Sequence, residues 1–423
     1  MNHCLGLAEY RSVVFLCVSV LLFAGQVCGA DEEEVLDRAS REILLQFKPQ
    51  VGVSARSAVL RSCNVQKVRA AYRHRFFIIT VPEKIRLRVL QRLTVHPDVA
   101  CAEPNSIVRA CGVPDDPLYE RQWHFAMINL ETAWHFSTGA GVVIAVVDTG
   151  VNPWGRDGFG VRLLEGYNAL LGIPARWHDS NGHGTHVAGT IAQETGNQKG
   201  VAGIAYQAQI LPVKVLGRVG YGTRASVAEG IYWAVDHGAD IINMSLGEPD
   251  RSEVLSAAVA YAAAHGGLMV AAAGNDSSAE EVAPVYYPAA FEHVLAVAAV
   301  DMVGNRAWYS NAGPEIDIAA PGGDTGVDNN GDGYPDGVLQ ETFEPMLGFA
   351  FGAFGWGYRY LQGTSMAAAH VTGVAALLKA LHPAWSPDDV AEALNHTAID
   401  LGTAGKDDAT GWGLLNAGAA VTY

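Results

Sequence analysis

Cysteine is missing from the larger part of this chain. The 423 residues hold 6, at positions 4, 17, 28, 63, 101 and 111, and none follows. No disulfide can form within residues 112–423, so stability there must come from packing or from a bound ion. Positive charge is scarce too: Lys and Arg number 28 against 44 Asp and Glu, a net charge of −16. The shortage is one-sided. Residues 31–111 carry 14 Lys and Arg against 9 acids, a net of +5, whereas residues 112–423 carry 13 against 34, a net of −21. An acidic body does not track a phosphate backbone, and the basic segment lacks a dense Lys/Arg cluster interleaved with aromatics, so nucleic acid is not an expected partner. What is abundant is apolar and small. Hydrophobic residues make up 49% and glycines number 47, the composition of an α/β protein rich in tight turns.

The apolar run Val13–Gly25, behind Arg11, falls short of the about 20 residues that span a bilayer. With Cys28-Gly29-Ala30 before the acidic run Asp31–Glu34, it has the layout of a secretory signal peptide over residues 1–30, so a secreted protein without a membrane anchor after processing is expected. Residues 31–111 form a second segment. EILLQFK (Glu42–Lys48), RFFIITV (Arg75–Val81) and VACAEPNSIVRA read as strands, and IRLRVLQRL reads as a helix with Ile85, Val89 and Leu93 on one face, together a small α+β unit of ferredoxin-like type. Pro114 and Pro117 then mark an extended linker, and residues 112–423 form the main domain.

Strand and helix patterns alternate through that domain: VVIAVVD, the helix opening at His183, QILPVKVL, SVAEGIYWAVDH, ADIINMSL, EVLSAAVAYAAAH, GLMVAAAGN, then HVLAVAAV and EIDIAA. Such alternation implies right-handed crossovers and a parallel sheet flanked by helices, with ligands beyond the carboxyl ends of strands. Ser386, Pro387, Asp388 and Asp389 cap a later amphipathic helix.

Three residues answer the needs of nucleophilic catalysis. Ser365, in GTSMAAAHVTGVAALL, sits where a helix begins, facing unpaired backbone N–H groups. A serine hydroxyl needs a base and a group that orients the base. His183 lies in the glycine-lined turn NGHGTHVAG, and Asp148 follows the buried run Val142–Val147. The order Asp, His, Ser is one of three known for such triads. Each has a plainer reading: Ser365 in an ordinary cap before a helix, Asp148 as a turn former before Thr149-Gly150, His183 with His186 as metal ligands; Asn275 in AAAGND likewise reads as a left-handed turn residue.

These segments, with VAAAGN around Asn275 and MSLG at Met244–Gly247, resemble the subtilisin-type serine endopeptidases over most of residues 112–423. One departure is Ala369, where most members have proline. The resemblance implies a subtilisin-like fold and an Asp148–His183–Ser365 triad, with Asn275 as oxyanion donor and protein or peptide substrates. It implies an extended substrate against Ser245, Leu246 and Gly247, and a specificity pocket from Ala271, Ala273 and Gly274 with Tyr286 at its floor. Tyr286 stands where the family often has glycine, so a shallow pocket and small or medium P1 side chains are expected. Residues 31–111 are similar in position and pattern to the family's prodomain, which implies folding assistance, inhibition by the chain's own prodomain, and self-processing near Cys111. A monomer is expected.

The insertion at 322–361 contains Asp328, Asn330, Asp332 and Asp336, with Gly333 allowing the sharp turn and the Tyr334 carbonyl as a further donor. This alternation of oxygens suits Ca2+, although Leu339 replaces the glutamate of an EF-hand, and a solvated acidic turn is the alternative. The aromatic stretch Phe349–Tyr360 suggests a packed hairpin or an interaction patch. Among competing functions, an α/β-hydrolase requires G-x-S-x-G with serine first, and an inactive binding relative requires a lost triad member; neither condition is met.

Overall fold

Strands that are apolar at every position can be buried only on both faces, and this requirement organises the larger unit. The computed structural model describes residues 41–63, 65, 67–71, 76–105, 113–344 and 355–423. The chain divides into two compact units, Met1–Cys111 and Gly112–Tyr423. The signal segment, Cys111 and Phe349–Phe354 lie outside the described residues.

The first unit runs β1 (Glu42–Phe47), α1 (Val53–Ser62), β2 (Lys67–Ala71), β3 (Phe76–Thr80), α2 (Glu83–Thr94) and β4 (Val99–Pro104). Its antiparallel sheet has the order β2-β3-β1-β4, a split βαβ of ferredoxin-like type. Ile43 and Leu45 from the central strand meet Ile79, Val89 and Leu93 in a core of its own. Helix α1 and strand β2 escaped the sequence pattern for a physical reason. In α1 only Val59 is buried, and β2 is an exposed edge strand, KVRAA, so neither has an apolar face to display.

The second unit opens with two short helices, α3 (Trp123–Met127) and α4 (Leu130–Trp134). There follow β5 (Val143–Asp148), the two-residue β6 (Tyr167–Asn168), α5 (His183–Ala192), β7 (Gln209–Lys214), α6 (Arg224–Asp236), β8 (Ile241–Met244), α7 (Glu253–Ala264), β9 (Leu268–Ala272), β10 (Val294–Val300) and β11 (Ile318–Pro321). All pairings in the seven-stranded sheet are parallel, in the order β11-β10-β9-β8-β5-β7-β6. Strand β10 is buried at every residue, as a sheet covered by helices on both faces requires. The insertion forms an antiparallel hairpin, β12 (Val338–Glu344) with β13 (Gly355–Leu361). The strands thus begin earlier than the aromatic stretch suggested, because Val338, Leu339 and Phe343 are the residues that bury.

Helix α8 (Thr364–Leu381) is buried from Thr364 to Leu378. Among the described residues it is the one helix long and apolar enough to cross a membrane, and 83% of it lies inside the protein, which makes it a core helix. Ala369 is fully buried within it, so no proline kink is needed there. Helices α9 (Pro387–His396) and α10 (Ala417–Ala420) close the unit, α9 with the expected cap: Ser386 accepts from the Asp389 N–H and Asp389 reaches back.

Candidate active site

Asp148 stands at the carboxyl end of β5, fully buried, where the parallel sheet opens to ligands. Its carboxylate accepts the Thr149 N–H at 2.6 Å and the His183 Nδ1–H at 2.8 Å, with the second oxygen 3.0 Å from Nδ1. A carboxylate only accepts, so the proton is held on Nδ1 and the Nε2 lone pair is free. His183 begins α5 because the preceding Gly182 adopts φ +105°, and a Cβ there would lie 2.5 Å from the Phe343 carbonyl. The imidazole side chain keeps 29% of its surface exposed.

Asp179, absent from the sequence reading, fastens the start of α5. One carboxylate oxygen accepts the N–H groups of Asn181 and Gly182, and the other accepts the Thr185 N–H and hydroxyl. Its position four residues before the histidine, in a polar turn entering a helix, was the available signal. Burial pushes the Asp179 carboxyl up despite these donors. For His183 burial disfavours the charged ring, yet Asp148 and then Asp179 outweigh it, so the imidazole holds its proton more tightly than a free histidine.

Ser365 is the second residue of α8, and its N–H therefore has no acceptor in a preceding turn. Its hydroxyl donates to the Ser245 carbonyl at 3.2 Å, and the Ser245 hydroxyl donates to the Ser365 carbonyl at 2.9 Å. The structure thus brings Ser365 together with Ser245, while its hydroxyl makes no hydrogen bond to His183 in this conformer. Asn275 is clamped beside the serine: its side-chain oxygen accepts both the N–H and the hydroxyl of Thr364 at 2.9 Å, which turns the exposed NH2 group outward.

Ser245, Leu246 and Gly247 line a cavity of about 530 Å³ shared with His183, Leu216, Tyr221, Val227 and Leu255. The last four were not anticipated. The glycine-rich stretch after the strand QILPVKVL was the available sign, since loops at carboxyl strand ends form ligand sites. Ala271 and Ala273 are fully buried, and neither they nor Gly274 and Tyr286 line this cavity. Tyr286 packs across two glycines: a Cβ on Gly247 would lie 3.1 Å from Tyr286 Cβ, and one on Gly274 would lie 3.1 Å from its Cδ2. Its hydroxyl donates to Asp276, a bond that pushes the phenol up to about 12.

A family profile described as "Subtilase family" matches residues 139–413, which span all of these groups. The chain belongs to the subtilase family. A thermostable alkaline protease of Halalkalibacterium halodurans is 36% identical over 411 residues, covering 96% of this subtilase and 98% of the relative. The minor extracellular protease Epr of Bacillus subtilis is 31% identical over 417 residues, covering 96% of this chain and 58% of the relative. The solved structure of a protease from Pseudoalteromonas arctica matches with a TM-score of 0.63 at 36% identity, covering 74% of this chain and 99% of that one. This subtilase is therefore a serine endopeptidase.

In the acidic insertion the residues of the expected calcium loop hydrogen-bond to the loop itself. Asp328 gives one oxygen to the N–H groups of Gly331 and Asp332 and the other to Gly333, and Asp332 accepts from Tyr334. Asn330 donates to Asp332, and Asp336 turns inward, buried, to hold Asn329. These oxygens accept the loop's own donors, and among the described residues no three acidic, histidine or cysteine side chains gather as a metal site, here or elsewhere. A different set of acids does approach one another. Asp157 accepts from Asn197 and Val201, Glu341 accepts the Arg156 and Asp157 N–H groups, and Asp116 accepts from Gly196 while its other oxygen is buried without a partner. Burial pushes Asp157 up to about 6, with Glu341 and Asp116 adding to the shift.

Proposed function

We propose that this subtilase cleaves peptide bonds through Asp148, His183 and Ser365. The observation that carries this reading is the His183 Nδ1–H on Asp148, which leaves Nε2 as a base. Rotation of Ser365 away from the Ser245 carbonyl presents its hydroxyl to Nε2; catalytic hydrogen bonds are often formed only once substrate is bound. Ser365 Oγ attacks the peptide carbonyl as His183 takes its proton. The Asn275 NH2 and the Ser365 N–H receive the oxyanion, and the protonated imidazole delivers its proton to the leaving amine. Water, deprotonated by His183, then releases the acyl group. Covalent labelling by a fluorophosphonate tests this: labelling that survives in Ser365→Ala overturns it.

Residues 31–111 serve as an inhibitory prodomain removed near Cys111, with opposite net charges favouring association with residues 112–423. Residues 1–30 direct export, and the mature enzyme acts as a secreted monomer. New amino termini sequenced from the parent and from Ser365→Ala test self-processing. The Tyr286 ring across Gly247 and Gly274 supports a shallow P1 pocket, and a peptide panel preferring Phe or Tyr at P1 refutes it.

Ca2+ acts as a structural ion. The buried, unpartnered oxygen of Asp116 and the crowded Asp157 favour Asp116, Asp157 and Asn197 as ligands over the self-satisfied loop at Asp328–Asp336, where the side chains of Asp328, Asn330 and Asp332 remain a second choice. Bound there, the ion neutralises buried charge. Loss of the calcium-induced rise in melting temperature in Asp157→Asn, and its retention in Asp328→Asn, is the expected pattern.

A further inference from the structure

Lys214 is the one charged residue in the apolar strand β7, and it is buried, 7% exposed, beside Asp148 in register across the sheet. Buried ammonium groups are ordinarily paired with a carboxylate. Here the ammonium donates to the Thr149 carbonyl and, at 3.4 Å, to the Ser180 hydroxyl. Those two residues directly follow the two buried carboxylates of the site, Asp148 and Asp179. The acids are occupied by other donors: Asp148 by His183 and Thr149, Asp179 by Asn181, Gly182 and Thr185. Lys214 therefore bridges the two turns rather than neutralising one acid by contact.

We propose that Lys214 is a positioning residue that ties the Asp148 turn to the Asp179 turn and whose fixed charge offsets both carboxylates where they face the imidazole of His183. The inference rests on the triad reading. Two carboxylates behind the ring stabilise the imidazolium, which is useless as a base, and a cation in the same field opposes them. The other charged or titratable groups around His183 do not supply that opposition. His186, on the same helix, and His370, on α8, are driven by burial to about 3 and about 4 and stay neutral. His124, edge-on to His370, is likewise held neutral by burial. Arg224, lining the shared cavity, is bound to Glu248 through both Nε and a terminal nitrogen.

The test is the pH profile of kcat/KM for the matured full-length product with a peptide substrate. Lys214→Gln keeps a donor without the charge, and Lys214→Met removes both. Each is expected to move the acid limb up by about one unit, leaving the alkaline plateau close to that of the parent. Lys214→Arg is expected to hold the limb below that of Lys214→Gln. An unmoved limb in folded Lys214→Gln overturns the proposal, as does an equal loss at every pH, which marks a purely structural strut. The titration of His183 followed by NMR in a Ser365→Ala background reads the same shift without turnover. If Lys214→Met does not fold, the Gln variant decides. A limb that ignores Lys214 yet moves down in Asp148→Asn defeats this inference alone; a limb that ignores Asp148→Asn as well defeats the triad reading.

Discussion

The two ends of helix α5 bury the same kind of side chain to opposite effect. At its start, Asp148 and Asp179 are supplied with donors on every side and have Lys214 within their field. Just beyond its end, around residues 194–201, Asp116 and Asp157 have fewer donors, one orphaned oxygen and Glu341 as an added like charge. Buried carboxylates need hydrogen bonds or an opposite charge, and the first end satisfies that need with its own donors while the second keeps a buried oxygen without one. Burial alone therefore says little about an acid's role. What its oxygens touch decides it.

The sharpest way to break this contrast is to neutralise one acid at each end. Asp148→Asn is expected to lower kcat by about 10⁴-fold, since the amide no longer fixes the imidazole tautomer, with little change in melting temperature. Asp157→Asn is expected to leave kcat near the parental value and to abolish the thermal response to calcium. Steady-state kinetics and melting curves on both variants check this, and a large kcat loss from Asp157→Asn erases the distinction. Next in size is Asn275→Ala. Removing the amide beside Ser365 is expected to cost about 10²- to 10³-fold in kcat, the magnitude known for another subtilase, with KM little changed.

How much of this was visible in the sequence follows the same division. The places of Asp148, His183 and Ser365 in the fold were legible because each has a plain local signature: a buried strand end, a glycine-lined turn, a helix start. The parallel sheet was legible because strands such as VLAVAAV are apolar throughout. Lys214 and Asp179 were not, because their meaning lies in Thr149 and Ser180 being brought together by folding. Asp116, Asp157 and Glu341 are far apart in the chain; β12 brings Glu341 to Asp157, and the loop at 196–201 holds both Asp116 and Asp157. In the Asp328–Asp336 loop the local spacing specified the turns, whose backbone N–H groups donate to Asp328.

A smaller effect separates the ends by pH. The Asp157 carboxyl, raised to about 6, favours the protonated form in the folded state. Its contribution to stability is thus fully present below about 4, the unfolded value, and is lost as pH rises toward about 6. Above that range the folded protein carries the unrelieved charge unless a cation binds it. EDTA is therefore expected to lower the melting temperature at pH 8 and to have much less effect at pH 5, where protons replace the ion. With calcium at 100 times its dissociation constant, the stabilisation lost is about 2.7 kcal/mol. An EDTA effect that is equal at the two pH values removes the Asp116–Asp157 set as the binding site.

The smallest expected effect probes how redundant the catalytic end is. Thr342, on β12, donates to the Gly182 carbonyl at 2.5 Å, one residue before His183. That carbonyl also receives the His186 N–H at 3.1 Å, so Thr342→Val leaves no buried acceptor without a partner. The loss should be about 1 kcal/mol, the net value of one hydrogen bond, and kcat should stay near the parental value because Asp179 and Asn181 still hold the turn. Thermal unfolding and kinetics together check this. If kcat falls far more than stability does, the start of α5 is not self-sufficient: the hairpin inserted before Ser365 is aiming the imidazole, and the completeness assigned to that end belongs to β12 instead.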